Sequence, residues 1–237
     1  MKSLRYVLTC SFLHLLLLTG MSGYALDPSK RITQYQHRVW RVQDGVLPNS
    51  PDWISQTTDG YLQVGGHSTG VYRFDGVRFV PWSSSLAPNR VASFFFLPSK
   101  NGGFWIGDSH GVSRVKRERV IAHFDLPGTA GPMIEDVDGS LWTTRHSIQG
   151  PPICHVTEMA ANCFGEAEGM SVQYAASLLS DGKGGLWIGT DTGLAHWKSG
   201  HSVTYEYKGL RSNVGQGGIA SLVQDPNGSL WVGIPKP

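Results

Sequence analysis

Two stretches of the 237-residue chain carry the Gly-x-Ser-x-Gly spacing of a hydrolytic nucleophile: Gly66-His-Ser68-Thr-Gly70 and Gly107-Asp-Ser109-His-Gly111. A working elbow of this kind needs a turn from a parallel strand into a helix, which exposes the serine above the sheet. A third copy, Gly189-Thr-Asp191-Thr-Gly193, has aspartate in the serine slot. A slot alternating between Ser and Asp reads as a turn-former whose side chain bonds nearby amides, not as a nucleophile. The nine histidines show no His-Glu-x-x-His or comparable ligand spacing, and His14 falls in the N-terminal apolar run. Asp136-Val-Asp-Gly139 opens like a calcium loop but lacks the later ligands and the closing Glu, so it reads as a hairpin turn. No phosphate loop, kinase or receiver pattern occurs. The reading assigns no catalytic, metal or cofactor-binding residue and no cofactor.

Of the three cysteines, Cys10 lies in the N-terminal run. Cys154 and Cys163 fall on adjacent predicted strands, and a hairpin centred between Glu158 and Met159 sets them opposite each other. In an exported protein such a pair oxidises to a disulfide. A register offset would leave two free thiols.

The elements that position these residues repeat. The clearest copy, Asp181 to Trp197, is a Gly-rich turn, the strand Leu186-Trp187-Ile188, a second turn, and a strand from Leu194. Weaker copies place Gln63, Trp105, Trp142, Trp187 and Trp231 in one register, at intervals of 42, 37, 45 and 44 residues. Four short strands per unit of this period are the mark of a β-propeller blade. A β-sandwich would not keep one Gly-x-Leu-Trp-x-Gly pattern in register. The expected fold is all-β: four complete four-stranded blades, with strands such as Trp53–Thr58 and Met133–Val137, and a truncated fifth in residues 51–237. The Asp-Gly pairs are read as two-residue hairpin turns.

Composition agrees, with 30 Gly, 8 Trp and only 16% charged residues. Residues 1–25 read as a signal peptide: Lys2 and Arg5, an apolar run from Tyr6 to Leu18, then Gly23-Tyr24-Ala25 at the cleavage spacing. A retained N-terminal anchor is the alternative. Without this segment the chain has 18 basic and 18 acidic residues, which gives no footprint for nucleic acid or an anionic membrane. Residues 26–50 form an extended lead-in segment, with Val39-Trp40-Arg41-Val42 as a candidate closing strand.

Gly185-Leu-Trp-Ile-Gly-Thr-Asp-Thr-Gly-Leu194 and its relatives resemble the two-component regulator propeller repeat. Leu26 to Tyr35 resembles the start of exported sensors built from that repeat. The resemblance implies a ligand-sensing region on the periplasmic side of the inner membrane, in a transmembrane signalling protein with a histidine kinase or other output domain. It implies a small-molecule or glycan ligand, the rest of the parent chain as partner, and a dimeric parent. Seven blades need about 300 residues, whereas about 210 follow residue 25. The sequence therefore reads as an N-terminal fragment, with a closed five-bladed ring as the alternative. An exported propeller lyase or hydrolase and a structural scaffold are the competing functions. The loops Ser83–Asn89 and Arg211–Gly218 are candidate ligand loops. Trp40, Trp53, Tyr61, Trp82 and Tyr205 could stack on sugars only if one face of the ring gathers them.

Overall fold

A computed structural model describes residues 29–35, 37–45, 51, 53–57, 59–66, 70–81, 95–117, 119–146, 150–206 and 218–234. The signal segment lies outside the described residues. The chain divides into Met1–Val39, whose described part holds one 3-10 turn, Ile32–Gln34, and the unit Trp40–Pro237.

In the second unit the strands fall into antiparallel sheets in chain order. Blade 1 is β1 Trp53–Gln56, β2 Leu62–Gly66, β3 Gly70–Phe74 and β4 Phe79–Pro81. Blade 2 is β5 Phe95–Pro98, β6 Phe104–Asp108, β7 Gly111–Lys116 and β8 Arg119–Asp125. Blade 3 is β9 Thr129–Glu135, β10 Leu141–His146, β11 Ile153–Val156 and β12 Ala161–Phe164. Blade 4 is β13 Ser177–Ser180, β14 Gly185–Gly189, β15 Gly193–Lys198 and β16 His201–Glu206. A two-stranded fifth sheet holds β17 Ser221–Gln224 and β18 Leu230–Gly233. The first strands of successive blades touch in turn: β1 with β5, β5 with β9, β9 with β13, β13 with β17.

The registering residue occupies the same place on the second strand of every blade, paired with Ser55, Leu97, Ile134, Leu179 and Val223 on the first strand. Three residues ahead of it stands a glycine at positive φ: Gly60, Gly102, Gly139, Gly184 and Gly228, at 88°, 78°, 84°, 78° and 87°. The turn around it closes with a backbone bond from the residue six before the register to the residue two before it, as in Thr57 N–H to Tyr61 O and Asp136 N–H to Ser140 O. These are not two-residue turns. A type I′ turn needs positive φ at both central residues, and beside Gly60 and Gly139 only the glycine has it.

Side chains alternate across each strand, so each blade has one face toward the next blade and one toward the blade before. Trp105 points onto blade 3, against Leu141, Cys154 and Val156. Trp142 points onto blade 4, against Leu186, Ile188 and Trp197. Trp53 stacks on Phe96 between blades 1 and 2, with centroids 5.5 Å apart. Ile219 and Leu222 of the fifth sheet cover Leu179, Trp187 and Leu194.

Two strand expectations change. Val39-Trp40-Arg41-Val42 is not a strand: Val42–Asp44 is a 3-10 turn ended by Gly45 at φ +69°. Trp40 packs edge-on against Phe74 and Phe79, at 4.9 and 6.0 Å, so it is held by side-chain packing and closes no sheet. The strand expected at Met133–Val137 runs four residues earlier at its start, through Gly131 and Pro132. Proline is tolerated there because β9 is the edge strand of its sheet, where one amide needs no ladder partner.

Trp142 is 7% exposed and Trp231 is 66% exposed at the same register. Trp142→Ala is expected to destabilise by about 3–5 kcal/mol, whereas Trp231→Ala should stay within about 0.5 kcal/mol. Equal losses in chemical denaturation would refute a blade-to-blade role for this position.

Candidate functional site

Gly107 to Gly111 joins β6 to β7 as an antiparallel hairpin, with Asp108 paired to Gly111, so no strand-to-helix elbow forms. Asp108 Oδ1 accepts the His110 amide at 2.7 Å. In the fourth blade Thr190 Oγ1 accepts the amides of Thr192 and Gly193, at 3.2 and 3.0 Å. The capping residue thus precedes the slot expected from the sequence, because a side chain of this length reaches the amide two residues on. Ser109 Oγ lies 3.0 Å from His110 Nδ1, and Asp108 approaches that same nitrogen at 3.7 Å. A nucleophile and its orienting carboxylate must take opposite ring nitrogens, so this trio is not a triad. Ser68 lies outside the described residues.

A Ser–His–Asp chain with its partners on opposite ring nitrogens does occur elsewhere, but with the two nitrogens exchanged relative to a triad. Ser113 Oγ is 2.8 Å from His123 Nδ1, and His123 Nε2 is 3.2 Å from Asp125 Oδ1. Cross-strand pairing of β7 with β8 builds it. Ser113 is only 8% exposed, and Asp125 stands in solvent. A nucleophile must reach a carbonyl and an oxyanion site together, and a serine enclosed within a sheet does not.

The blade-to-blade faces carry a second repeated feature, a base opposite the registering aromatic. Trp105 pairs with Arg114, Trp142 with His155 and Trp187 with His196. The Arg114 guanidinium sits 5.4 Å over the Trp105 ring, and both imidazoles lie 4.2 Å from their indoles. Six residues before the register an aspartate satisfies this layer. Asp136 Oδ2 accepts Trp142 Nε1 at 3.2 Å, Asp225 Oδ2 accepts Trp231 Nε1 at 3.3 Å, and Asp181 Oδ2 meets His196 Nε2 at 3.1 Å.

Blade 2 breaks the pattern. Ser99 replaces the aspartate, and its hydroxyl donates instead to Glu135 of blade 3 at 2.6 Å. Trp105 Nε1 has no hydrogen-bond partner among the described residues. Beside it, a cavity of about 180 Å³ opens between blades 2 and 3, walled by Asn101, Trp105, Arg114, Asp138, Ser140 and Glu158. Arg114 Nη1 is 3.4 Å from Glu158 Oε1. Asp138 takes the Ser140 hydroxyl and amide, at 2.6 and 2.9 Å, and these bonds hold its carboxyl below the usual range. His155 bonds the same hydroxyl at 2.7 Å. Burial pushes the His155 imidazole down from its ordinary value of 6.5, against the pull of Asp138 and Asp136. The walls therefore offer a fixed guanidinium and a fixed carboxylate, with a neutral imidazole behind them. That set suits binding of a small polar molecule with both donors and acceptors. Asp136 itself is spent on Val137, Trp142 and Ser180, and no cluster able to hold a metal occurs among the described residues.

Cys154 stands directly opposite Cys163, their Cα atoms 3.9 Å apart and joined as a disulfide. The described members of the candidate stacking set are each engaged by a neighbouring side chain. Trp40 and Trp53 are engaged as described above, Tyr61 lies under Arg73 at 4.5 Å, and Tyr205 rests 6.1 Å from Trp187. Trp82, Ser83–Asn89 and residues 211–217 lie outside the described residues.

No protein-family model matches the chain, and no curated protein does. Among solved structures it is similar to the extracellular domain of a hybrid two-component system from B. thetaiotaomicron, with TM-score 0.64 and 16% identity over 79% of this chain and 25% of that one. It is similar to virginiamycin B lyase from Staphylococcus aureus, with TM-score 0.55 and 15% identity over 77% and 62%. A gluconolactonase from Xanthomonas campestris gives TM-score 0.57 and 13% identity over 79% and 72%. The fold is a β-propeller. The chain spans about a quarter of the length of the two-component domains it resembles.

Two outcomes follow from the site. Mass spectrometry of the non-reduced protein should find the peptides of Cys154 and Cys163 linked; two free thiols would refute the bond. The folded chain refuses a proton at His155 that the unfolded chain accepts, so stability should fall as pH drops through the ordinary histidine range. Melting temperature should therefore decline on acidification below about pH 6.5, less steeply in His155→Asn. Parallel curves would remove His155 as the cause.

Proposed function

We propose that this chain is the exported, ligand-sensing propeller region of a transmembrane two-component-type signalling protein, acting on the periplasmic side of the inner membrane. The observation that carries the reading is the polar cavity between blades 2 and 3. Arg114 and Asp138 present opposite charges there beside a buried indole left without its usual acceptor. The likeness to extracellular domains of two-component systems supports the sensing role. The ligand is a small polar molecule or the end of a glycan. The remainder of the signalling protein is the partner, and its dimer carries the bound state to the output domain.

A second reading, an exported propeller enzyme, is favoured by the lyase and lactonase likenesses. Calorimetry and thermal shift against a panel of sugars, sugar acids and amino acids separate the two. A sensing cavity gives a ligand that raises the melting temperature without being consumed, at an affinity at least about tenfold weaker in Arg114→Ala, since a lost charge-assisted bond costs about 1.5–3 kcal/mol. Turnover of any of these compounds would establish the enzyme reading, and equal binding by Arg114→Ala would remove the cavity.

A further inference from the structure

In blades 3 and 4 and in the fifth sheet, a carboxylate serves the aromatic layer. The aspartate six residues before the register takes the indole N–H of Trp142 and Trp231, and in blade 4 it meets the His196 imidazole. Blade 2 carries Ser99 at that place, with its hydroxyl committed to Glu135. Two donors of the layer, Trp105 Nε1 and Arg114 Nε, then have no acceptor among the described residues. They belong to one cross-strand pair, with the guanidinium over the indole. Trp105 is 2% exposed and the Arg114 side chain 15%. A buried donor without an acceptor is costly, the more so when it is charged.

Both residues wall the cavity between blades 2 and 3, and Asp138 and Glu158 wall it with them. These two acids are exposed, so they form its mouth. Both bonds from Ser140 fall on Oδ1 of Asp138, and its second oxygen can accept from a ligand. The cavity is therefore polarised, with donors lacking a carboxylate inside and carboxylates at the rim. Its volume of about 180 Å³ is below the roughly 300–1,000 Å³ of sites that enclose drug-sized ligands, so it admits only a compact molecule.

We propose that this cavity binds a small free α-amino acid. Its carboxylate takes the acceptor place that blade 2 lost with the aspartate, on Trp105 and Arg114, and its ammonium meets Asp138 and Glu158. The inference rests on the reading of the cavity as the sensing site and narrows the ligand to one class. Charge-assisted bonds to carboxylate are the strong ones. A neutral sugar brings a charge to neither wall. A simple acid meets the inner donors but is repelled at the mouth, and a simple amine is repelled by Arg114. Only the zwitterion suits both.

Calorimetry and NMR of the indole N–H groups test this in the full chain with glycine, L-alanine and L-serine. Each is compared with two analogues lacking one charge, the acid without its amino group and the amide of its carboxylate. At least one amino acid should bind, with both its analogues about tenfold weaker or more. The Trp105 indole N–H resonance, assigned by its loss in Trp105→Phe, should move downfield at saturation. Trp105→Phe keeps a ring in place and should weaken binding about tenfold. Arg114→Lys, which keeps the charge and loses the Nε donor, serves in its place where the Phe variant is unfolded. Asp138→Asn can still accept from Ser140, and it should weaken the amino acid without weakening the deaminated acid. An analogue that binds as tightly as its amino acid, or a Trp105 resonance unmoved at saturation, would overturn the proposal. A sugar that binds through Arg114 while no amino acid binds would overturn it too, and leave the sensing cavity standing. No Arg114-dependent ligand of any class would remove both.

Discussion

Blades 2, 3 and 4 are apolar on both faces, and each face is covered mainly by the neighbouring sheet. Antiparallel sheets commonly turn one face to water; here the second strand carries Leu141 and Trp142 to opposite sides, and both are buried. Stability is therefore a property of neighbouring pairs, as in other repeat architectures. Polar pins fix the pairs in register once the apolar faces meet. Glu135 of blade 3 accepts Ser99 and the Lys100 amide of blade 2, both at 2.6 Å. Asp136 accepts Ser180 of blade 4 at 2.9 Å, and Ser177 donates to Ile219 O at 2.6 Å. Buried Arg145 donates from Nε to Pro151 O at 2.8 Å and from Nη1 to Pro127 O, tying the link between blades 2 and 3 to the blade-3 loop.

This dependence explains which parts of the structure were legible in the sequence. The registering Trp and the glycine three residues before it recur because every blade solves the same packing and turn problem, so five weak copies reinforce one another. Features that belong to a single blade have no such support. Pro132 reads as a break in any local window, and only its place on an edge strand makes it a strand residue. Trp40 reads as a strand residue by propensity, but the rings of Phe74 and Phe79 hold it where no strand edge does. The capping of the Gly-x-Ser-x-Gly turns was misplaced by one residue, since glycine spacing marks where the turn lies and not which side chain reaches back into it.

The candidate site was hidden for a related reason. Arg114 follows Trp105, and His196 follows Trp187, at an interval of nine residues. A base at that interval becomes informative only when the register shows it to be the cross-strand partner of the aromatic. Ser113 and His123 are likewise brought together by pairing across a hairpin. The spacing rules that find metal or nucleophile motifs within one element cannot register such a pair.

In a fold made of equivalent units, specific chemistry has to sit where one unit departs from the rest. Blades 3 and 4 satisfy their aromatic layer internally: the aspartate before the register takes the indole in one and the imidazole in the other. In blade 2 the aspartate has become Ser99 and the imidazole has become a guanidinium. Each change alone would be costly, because serine is drawn away to Glu135 and an indole N–H is left unpaired in a buried layer. Together they accompany a polar cavity beside Trp105. The junction between blades 2 and 3 is braced by Arg145, by the Glu135 contacts and by the Cys154–Cys163 crosslink on the next hairpin. An interface altered in its polar layer and braced around it keeps a polar cavity beside Trp105 without losing the packing on which both blades depend.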